Sequence, residues 1–248
     1  MIKSMNNYKI TVEYDGTNFV GWQQQANGLS IQSSLQDSLF KLSGEKVVVY
    51  GAGRTDAGVH AYGQVASFSI SKKISTDVIR DGLNQHLRPL MISVQKAEFV
   101  QDDFHARFSA KRRWYVYKII NRRSPLTIEA NKAWCVHKRL NIDKIKTESA
   151  SFVGKHDLNA FRSANCQSNT SIKTIDSINV DNKEDKILIE ISARSFLHSQ
   201  VRIMVGTLVD IAKGNLTDSI SQIINSRKRD LAGQTAPACG LYLKKIEY

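Results

Sequence analysis

The sequence predicts an α+β protein built from two consecutive β-α-β-β-α-β runs. Three observations carry that prediction: apolar residues alternate with period two in short segments, recur at helical spacing in the segments between, and Ser, Gly and Pro mark the changes. With 248 residues, 42% of them hydrophobic, there is apolar material for a sizeable core in one large domain or two smaller ones. Wholesale disorder is excluded.

In the first half, alternation over Tyr8 to Tyr14 predicts a strand. Ile31, Leu35, Leu39 and Leu42 predict a helix that begins near Ser30 and stops at Gly44. Val47 to Tyr50 and Gln64 to Ile70 predict two strands, and the loop between them, about 13 residues long, is longer than a hairpin needs. A helix from Ser75 or Thr76, with Ile79, Leu83 and Leu87 on one face, must end before Pro89, and Ile92 to Val100 follows as a strand. The second half repeats the order: strand Trp114 to Ile120, helix Ile142 to Val153, strands Ser171 to Val180 and Ile187 to Ala193, helix Ser199 to Ala212, and strand Leu241 to Tyr248. A short helix around Ser219 to Asn225 is an insertion. The expected division is 1–104 and 105–248, each half a split β-α-β unit with helices on one face of an antiparallel sheet, the two sheets side by side.

The chain holds 35 Lys plus Arg against 23 Asp plus Glu, a net charge of +12, with a pI near 9.6. Between His105 and Lys146 there are 12 Lys or Arg and 2 acids, Glu129 and Asp143, so this sixth of the chain carries an excess of 10. Trp114, Tyr115, Tyr117 and Trp134 are interleaved there with Arg112, Arg113, Lys118, Arg122 and Arg123. Cations for phosphates beside rings for bases predict a nucleic-acid partner. Without a zinc-finger or helix-turn-helix pattern, single-stranded or structured RNA fits better than duplex DNA. No run of 18 apolar residues occurs, and Met1 to Lys9 has no apolar signal core, which predicts a cytosolic protein outside the membrane. Cys135, Cys166 and Cys239 are odd in number and widely spaced, as expected of reduced packing residues.

Gly53-Arg54-Thr55-Asp56-Ala57-Gly58-Val59-His60-Ala61 occupies the long loop. Its two outer glycines have phosphate-loop spacing, but Val59 and His60 stand where Lys and Ser or Thr must, and Asp56 takes the third glycine position of a dinucleotide fingerprint. What remains is one carboxylate, Asp56, with Arg54 two residues away. On residue type alone it suits a turn cap as well as a catalytic acid. His60, His105, His137, His156 and His198 form no H-E-x-x-H or comparable cluster, so no metal is expected.

The motif is similar to the catalytic-aspartate motif of the tRNA pseudouridine synthase A family. Four further blocks share the resemblance: Tyr14-Asp15-Gly16-Thr17-Asn18-Phe19-Val20-Gly21-Trp22-Gln23, Phe104-His105-Ala106-Arg107-Phe108-Ser109-Ala110, Phe196-Leu197 with Val201-Arg202 and Val205-Gly206, and Thr235-Ala236-Pro237-Ala238 with Gly240-Leu241. Gln200 departs from an expected Met, Gln234 from a common Pro, and Cys239 stands at a variable position. The resemblance implies the pseudouridine synthase fold and isomerisation of uridine at positions 38, 39 and 40 of the tRNA anticodon stem-loop. It further implies no cofactor, no metal, a cytoplasmic location, and a homodimer whose subunits together grip one tRNA.

The resemblance also assigns roles. Asp56 attacks C1′ of the ribose or C6 of the uracil, or takes a proton from C2′; these alternatives stay open. Arg202 matches the arginine that faces it, since a carboxylate removed from water needs a counter-charge to remain ionised. On a helical wheel with Val201 at zero, Met204, Val205, Leu208, Val209, Ile211 and Ala212 fall within about 80° of it and Arg202 at about 100°, at the edge of the buried face. Arg54 matches the residue that fills the space vacated by the flipped base. Tyr115 matches the tyrosine that stacks on the flipped uracil and helps move the C5 proton, and Tyr117 shares its side of the strand. From the basic run rather than the resemblance, Arg112 and Arg113 are expected to contact RNA; His105 and Arg107 either line its approach or form a rigid turn with a capped Ser109. Trp22 and Pro237 are packing residues.

Two other classes compete. A non-catalytic protein of tandem RNA-binding modules would carry an R-G-F-x-F-V strand, which is absent, and would have no use for the Asp56 loop. A basic ribosome-assembly subunit would have long charged tails, whereas both ends here read as strands or short flanks.

Overall fold

A computed structural model describes residues 5–248; residues 1–4 of the N-terminal segment that lacks a signal core lie outside the described part. The chain divides into two compact units, Met1–Lys111 with Leu243–Tyr248, and Arg112–Tyr242. The described residues form a mixed α/β protein of five α-helices and mostly antiparallel strands.

The first unit is organised on β1 (Asn6–Tyr14), which pairs antiparallel with β3 (His60–Ile70) on one side and β4 (Ile92–Phe99) on the other. Tyr8 stands opposite Phe68 and Phe99, and Ile10 opposite Ala66 and Ala97, so one row of rings and small residues runs across three strands. Between β1 and β3 lies α1 (Ile31–Ser43). Ser30 accepts the Ser33 N–H and Ser33 returns the bond, Gly44 closes the helix, and Ile31, Leu35 and Leu39 are buried. Each such aliphatic contributes about 2 kcal/mol through removal from water. In α2 (Thr76–Leu87) Ser75 accepts the Val78 N–H, and Ile79, Leu83 and Leu87 are buried. The helix stops at Arg88 because the following proline disfavours helical geometry there.

The strand expected over Val47 to Tyr50 is a correction. Only β2 (Tyr50–Gly51) pairs, with β3. The alternation is real, with Val47 and Val49 buried and Val48 exposed, but α1 side chains satisfy this backbone: Gln32 Nε2 donates to the Val49 carbonyl at 2.9 Å and Gln36 Oε1 accepts the Val49 N–H at 3.2 Å. β3 also starts at His60 rather than Gln64, so the aspartate loop shortens to residues 52–59.

In the second unit, β5 (Arg112–Ile120) pairs antiparallel with β9 (Lys186–Ala193), β9 with β8 (Ile172–Lys183), and β8 with β7 (Gly154–Asp157). A two-residue β6 (Trp134–Cys135) runs parallel to the end of β5. α3 (Ile142–Ala150) begins where Asn141 accepts the Lys144 N–H and ends three residues before the expected Val153. There the Phe152 and Val153 N–H groups turn to Ser149 and Ala150, which tightens the chain and drives Phe152 into the core against Phe161. β8 outlasts the expected Val180 because its polar tail pairs with β9 as a solvent-facing hairpin. α4 (Gln200–Lys213) is buried along almost its whole length, and α5 (Ile220–Ser226) opens with a Ser219–Gln222 capping box. β10 (Leu241–Glu247) ends the fold, its residues divided between the units.

Candidate active site

Asp56 lies in the 52–59 loop, half-buried, on a backbone held from several sides. The Ala52 N–H donates to the Val65 carbonyl at 2.8 Å, and buried Gln64 donates through Nε2 to the Gly53 carbonyl at 2.8 Å. The Thr55 hydroxyl shares a 2.7 Å bond with the Tyr14 hydroxyl, and the Thr55 carbonyl accepts the Trp22 N–H at 3.0 Å. The Val59 N–H closes a turn on the Asp56 carbonyl at 3.1 Å. Gly21 makes this approach possible: its φ is +109°, and a Cβ there would stand 2.6 Å from the Thr55 oxygen and 3.2 Å from the Ala57 nitrogen. Trp22 is buried against Gly51, as a packing residue.

Past the loop, His60 is buried, and its Nδ1 accepts the Gly16 N–H at 3.0 Å. The same nitrogen lies 3.1 Å from Asp15 Oδ1. Arg54 is exposed and donates through Nε to Gln23 Oε1 at 3.1 Å; Gln23 in turn donates to Gln32 Oε1 at 2.8 Å. That chain ties the Arg54 side chain to α1.

His105 and Arg107 stand on a fixed turn in the same unit. The His105 N–H donates to Ser109 Oγ at 3.0 Å, the Ser109 N–H to the His105 carbonyl at 2.9 Å, and the Arg107 N–H to His105 Nδ1 at 3.1 Å. The rigid capped turn is present, and it carries an exposed Arg107.

In the second unit, half-buried Arg202 is held by the Gln234–Pro237 segment. Its Nε donates to the Ala236 carbonyl at 2.8 Å while its own carbonyl accepts the Ala236 N–H at 3.1 Å. Tyr117, fully buried, donates its hydroxyl to the Pro237 carbonyl at 2.7 Å, and burial pushes that phenol far above its ordinary pKa. Both departures from the family pattern have structural uses. Gln234 donates its N–H and side-chain amide to Asp210 at 3.1 and 3.2 Å, and buried Gln200 accepts the Leu197 N–H at 2.8 Å.

Gly206 lets α4 and this segment touch, since a Cβ there would lie 1.8 Å from the Gln234 oxygen. Gly206→Ala should therefore cost about 1–3 kcal/mol of stability, read as a melting point lower by about 2–4 °C per kcal/mol. An unchanged melting point would show that the segment shifts at no cost.

Tyr115 is buried, with its ring edge-on to Phe196 at 5.3 Å. Arg112 pairs with Asp176 at 2.8 Å, and Arg113 donates to the Arg194 carbonyl. Of the rings interleaved with the basic run, Tyr115 and Tyr117 are buried, Trp114 is half-buried, and half-buried Trp134 is faced by Lys213 with Nζ 5.3 Å from its centroid, so the run does not present four open rings. Arg122, Arg123, Lys132, Lys138, Arg139, Lys144 and Lys146 are exposed, so the charge is on the surface even where the rings are not. Strand periodicity marks which residues share a face but not whether a second layer covers that face.

Sequence reasoning missed Gln64, Tyr14 and Gln23 as supports of the aspartate loop. The signal available was the Tyr14 to Gln23 block itself, in which Tyr14, Gly16, Gly21, Trp22 and Gln23 meet the loop. Among the described residues no group of three or more His, Cys, Asp or Glu is arranged to hold a metal, and no helix is long and apolar enough to cross a membrane.

A family model described as tRNA pseudouridine synthase matches residues 10–109 and 149–248, which include Asp56, Arg54, His105, Arg107 and Arg202 but not Tyr115, Arg112 or Arg113. Relatives named tRNA pseudouridine synthase A resemble the chain over nearly all of its length. The Ehrlichia chaffeensis protein is 49% identical over 97% of this chain and 99% of its own, and the Wolbachia pipientis protein is 49% identical over the same shares. The Parvibaculum lavamentivorans protein is 45% identical over 98% of this chain and 100% of its own.

Proposed function

The chain belongs to the tRNA pseudouridine synthase family, and from that premise we propose that it acts on uridines 38, 39 and 40 of the anticodon stem-loop with Asp56 as the reacting carboxylate. The enzyme is an isomerase that converts uridine to pseudouridine in tRNA. The N1–C1′ bond breaks, a C5–C1′ bond forms, C5 gives up a proton and N1 gains one. Composition and oxidation state are conserved, so the protein must supply an acid-base or nucleophilic group and a place to hold the detached base.

The observation that supports Asp56 is the way its loop is fixed. Bonds to Thr55, Gly53 and the Asp56 carbonyl set the position of a half-buried carboxylate. Arg54 fills the vacated stack, and its bond to Gln23 is one that a bound RNA would have to replace. Arg202, with Nε on Ala236, supplies the counter-charge that keeps the carboxylate ionised. The family reading carries with it two split β-α-β halves, a homodimer and a cytoplasmic location. The 4-1-3-2 arrangement of β4, β1, β3 and β2 in the first unit supports the first of these.

Tritium release from tRNA labelled at uracil C5 tests the site assignment. Release should equal the number of uridines at 38, 39 and 40 and vanish when cytidine replaces all three. Release from the all-cytidine transcript would place the activity elsewhere in the tRNA.

The same assay in single turnover separates the two tyrosines. Tyr115→Phe should bind tRNA normally and slow the release, whereas Tyr115→Leu should also weaken positioning. Tyr117→Phe should be mild in rate, losing about 0.5–1.5 kcal/mol of stability with the bond to Pro237. A dead Tyr117→Phe enzyme beside a fast Tyr115→Phe enzyme would reverse the two roles.

Affinity for tRNA should fall steeply with salt, by about 0.9 in log-log slope for each phosphate neutralised on a duplex and about 0.7 on a single strand. Replacing Arg112 and Arg113 together should lower that slope and raise KM more than it lowers kcat. A flat salt dependence would remove the RNA role of the segment from Arg107 to Lys146.

A further inference from the structure

Two exposed rings lie close together, one on the turn at His105 that begins the basic run and one on the neighbouring end of β2. Phe108 is 73% exposed and Tyr50 is 49% exposed. His105 stands between them, with ring centroids 4.9 Å from Tyr50 and 4.5 Å from Phe108 at interplanar angles of 44° and 38°, so the three form a row that fans open toward solvent. The Arg107 guanidinium carbon lies 5.5 Å from the Phe108 centroid. The backbone beneath is held by three bonds between His105, Arg107 and Ser109, and by the Ala106 N–H on Ser67 Oγ at 3.1 Å. His105 Nδ1 accepts the Arg107 N–H, which fixes the plane of the ring.

Single exposed apolar residues are ordinary, but a contiguous row of rings beside a cation on a rigid turn is not. Exposed aromatic faces next to an arginine suit a planar, unpaired base attached to a phosphate. A chain of net charge +12 acting on tRNA makes a polyanion the partner favoured over another protein. We propose that Tyr50, His105 and Phe108 form a stacking subsite for one unpaired nucleotide of the tRNA, with Arg107 on its phosphate. The subsite rests on the tRNA reading above and extends it by adding Tyr50 and Phe108 as specific contacts. The rings supply stacking, the guanidinium supplies charge, and the turn presents both with little ordering left to do on binding.

The test is equilibrium binding of an unmodified tRNA transcript across a salt series. Phe108→Ala should raise Kd roughly 5- to 100-fold, the range expected for one lost base-stacking contact, without changing the salt slope. Arg107→Ala should lower the slope by about one phosphate. Phe108→Trp should restore affinity because it restores a stacking face. Phe108 is exposed, so the melting points of these variants should match the parent, which excludes misfolding as the cause. A Kd for Phe108→Ala within twofold of the parent would overturn the subsite. So would a Phe108→Ala protein that changes its mass in sedimentation velocity while binding tRNA as before, since the row would then be a contact between copies of the chain. A parent protein that forms no pseudouridine in that transcript would instead overturn the functional reading, whatever the Phe108 variants do.

Discussion

Replacement of Asp56 by asparagine or alanine should abolish pseudouridine formation, by on the order of 10⁴-fold or more, while leaving tRNA affinity within about twofold. A carboxylate that reacts with the substrate is needed for bond cleavage and contributes little to phosphate contact. The fold should survive both changes. The loop is held through the Gly53, Thr55 and Asp56 carbonyls, the Thr55 hydroxyl and Gln64, all of which remain in the variants. Rates in single turnover, taken beside the melting point and the tRNA dissociation constant, separate loss of chemistry from loss of structure. Pseudouridine formed by clean Asp56→Ala protein at more than about a thousandth of the parent rate would sink the mechanism.

Arg202→Ala should be the second most damaging change, on the order of 10²-fold or more in kcat, because in the proposed mechanism it removes the counter-charge of the reacting carboxylate. Arg202→Lys should recover only part of the loss. The arginine uses Nε to hold the Ala236 carbonyl and keeps two further nitrogens in a planar fork, and a lysine has one nitrogen for both tasks. Arg202 is also tied to Ala236 through its backbone, which either variant retains, so the Gln234–Pro237 segment should stay on α4. Equal activity in the arginine, lysine and alanine proteins would show that no such pair acts in catalysis.

Much of the fold was legible because local chemistry agrees with it. Ser30, Ser75, Asn141 and Ser219 each cap the helix that follows, and Gly44 and Pro89 end helices for reasons carried in the backbone. Val47 to Tyr50 misled because alternation reports which side chains are buried, not what the backbone bonds to, and here Gln32 and Gln36 of a helix replace a neighbouring strand. The end of α3 was misplaced because Phe152 needs a tightened turn to reach Phe161, a tertiary demand that no helical periodicity contains.

The site divides in the same way. The motifs single out Asp56, Arg54 and Arg202, and the Arg202 position on the helical wheel, at the rim of the buried face, agrees with its half-buried state. Gln64 and Tyr14 were not found, since their work depends on β1 and β3 lying together. The burial of Tyr115 and Tyr117 was not legible in the interleaving, because strand parity does not report what covers a face. Phe108 and Tyr50, distant in sequence, became a row only when the His105 turn was placed beside β2.

Nucleotide-resolution mapping of pseudouridine, by chemical labelling of an unmodified tRNA transcript after incubation with the purified protein, tests the account most directly. The expected result is labelled uridine at 38, 39 and 40 wherever the transcript has uridine there, at no other position, and at none of them with the Asp56→Ala protein. Labelling confined to another arm of the tRNA, or a pattern identical for the parent and the Asp56→Ala protein, would contradict it.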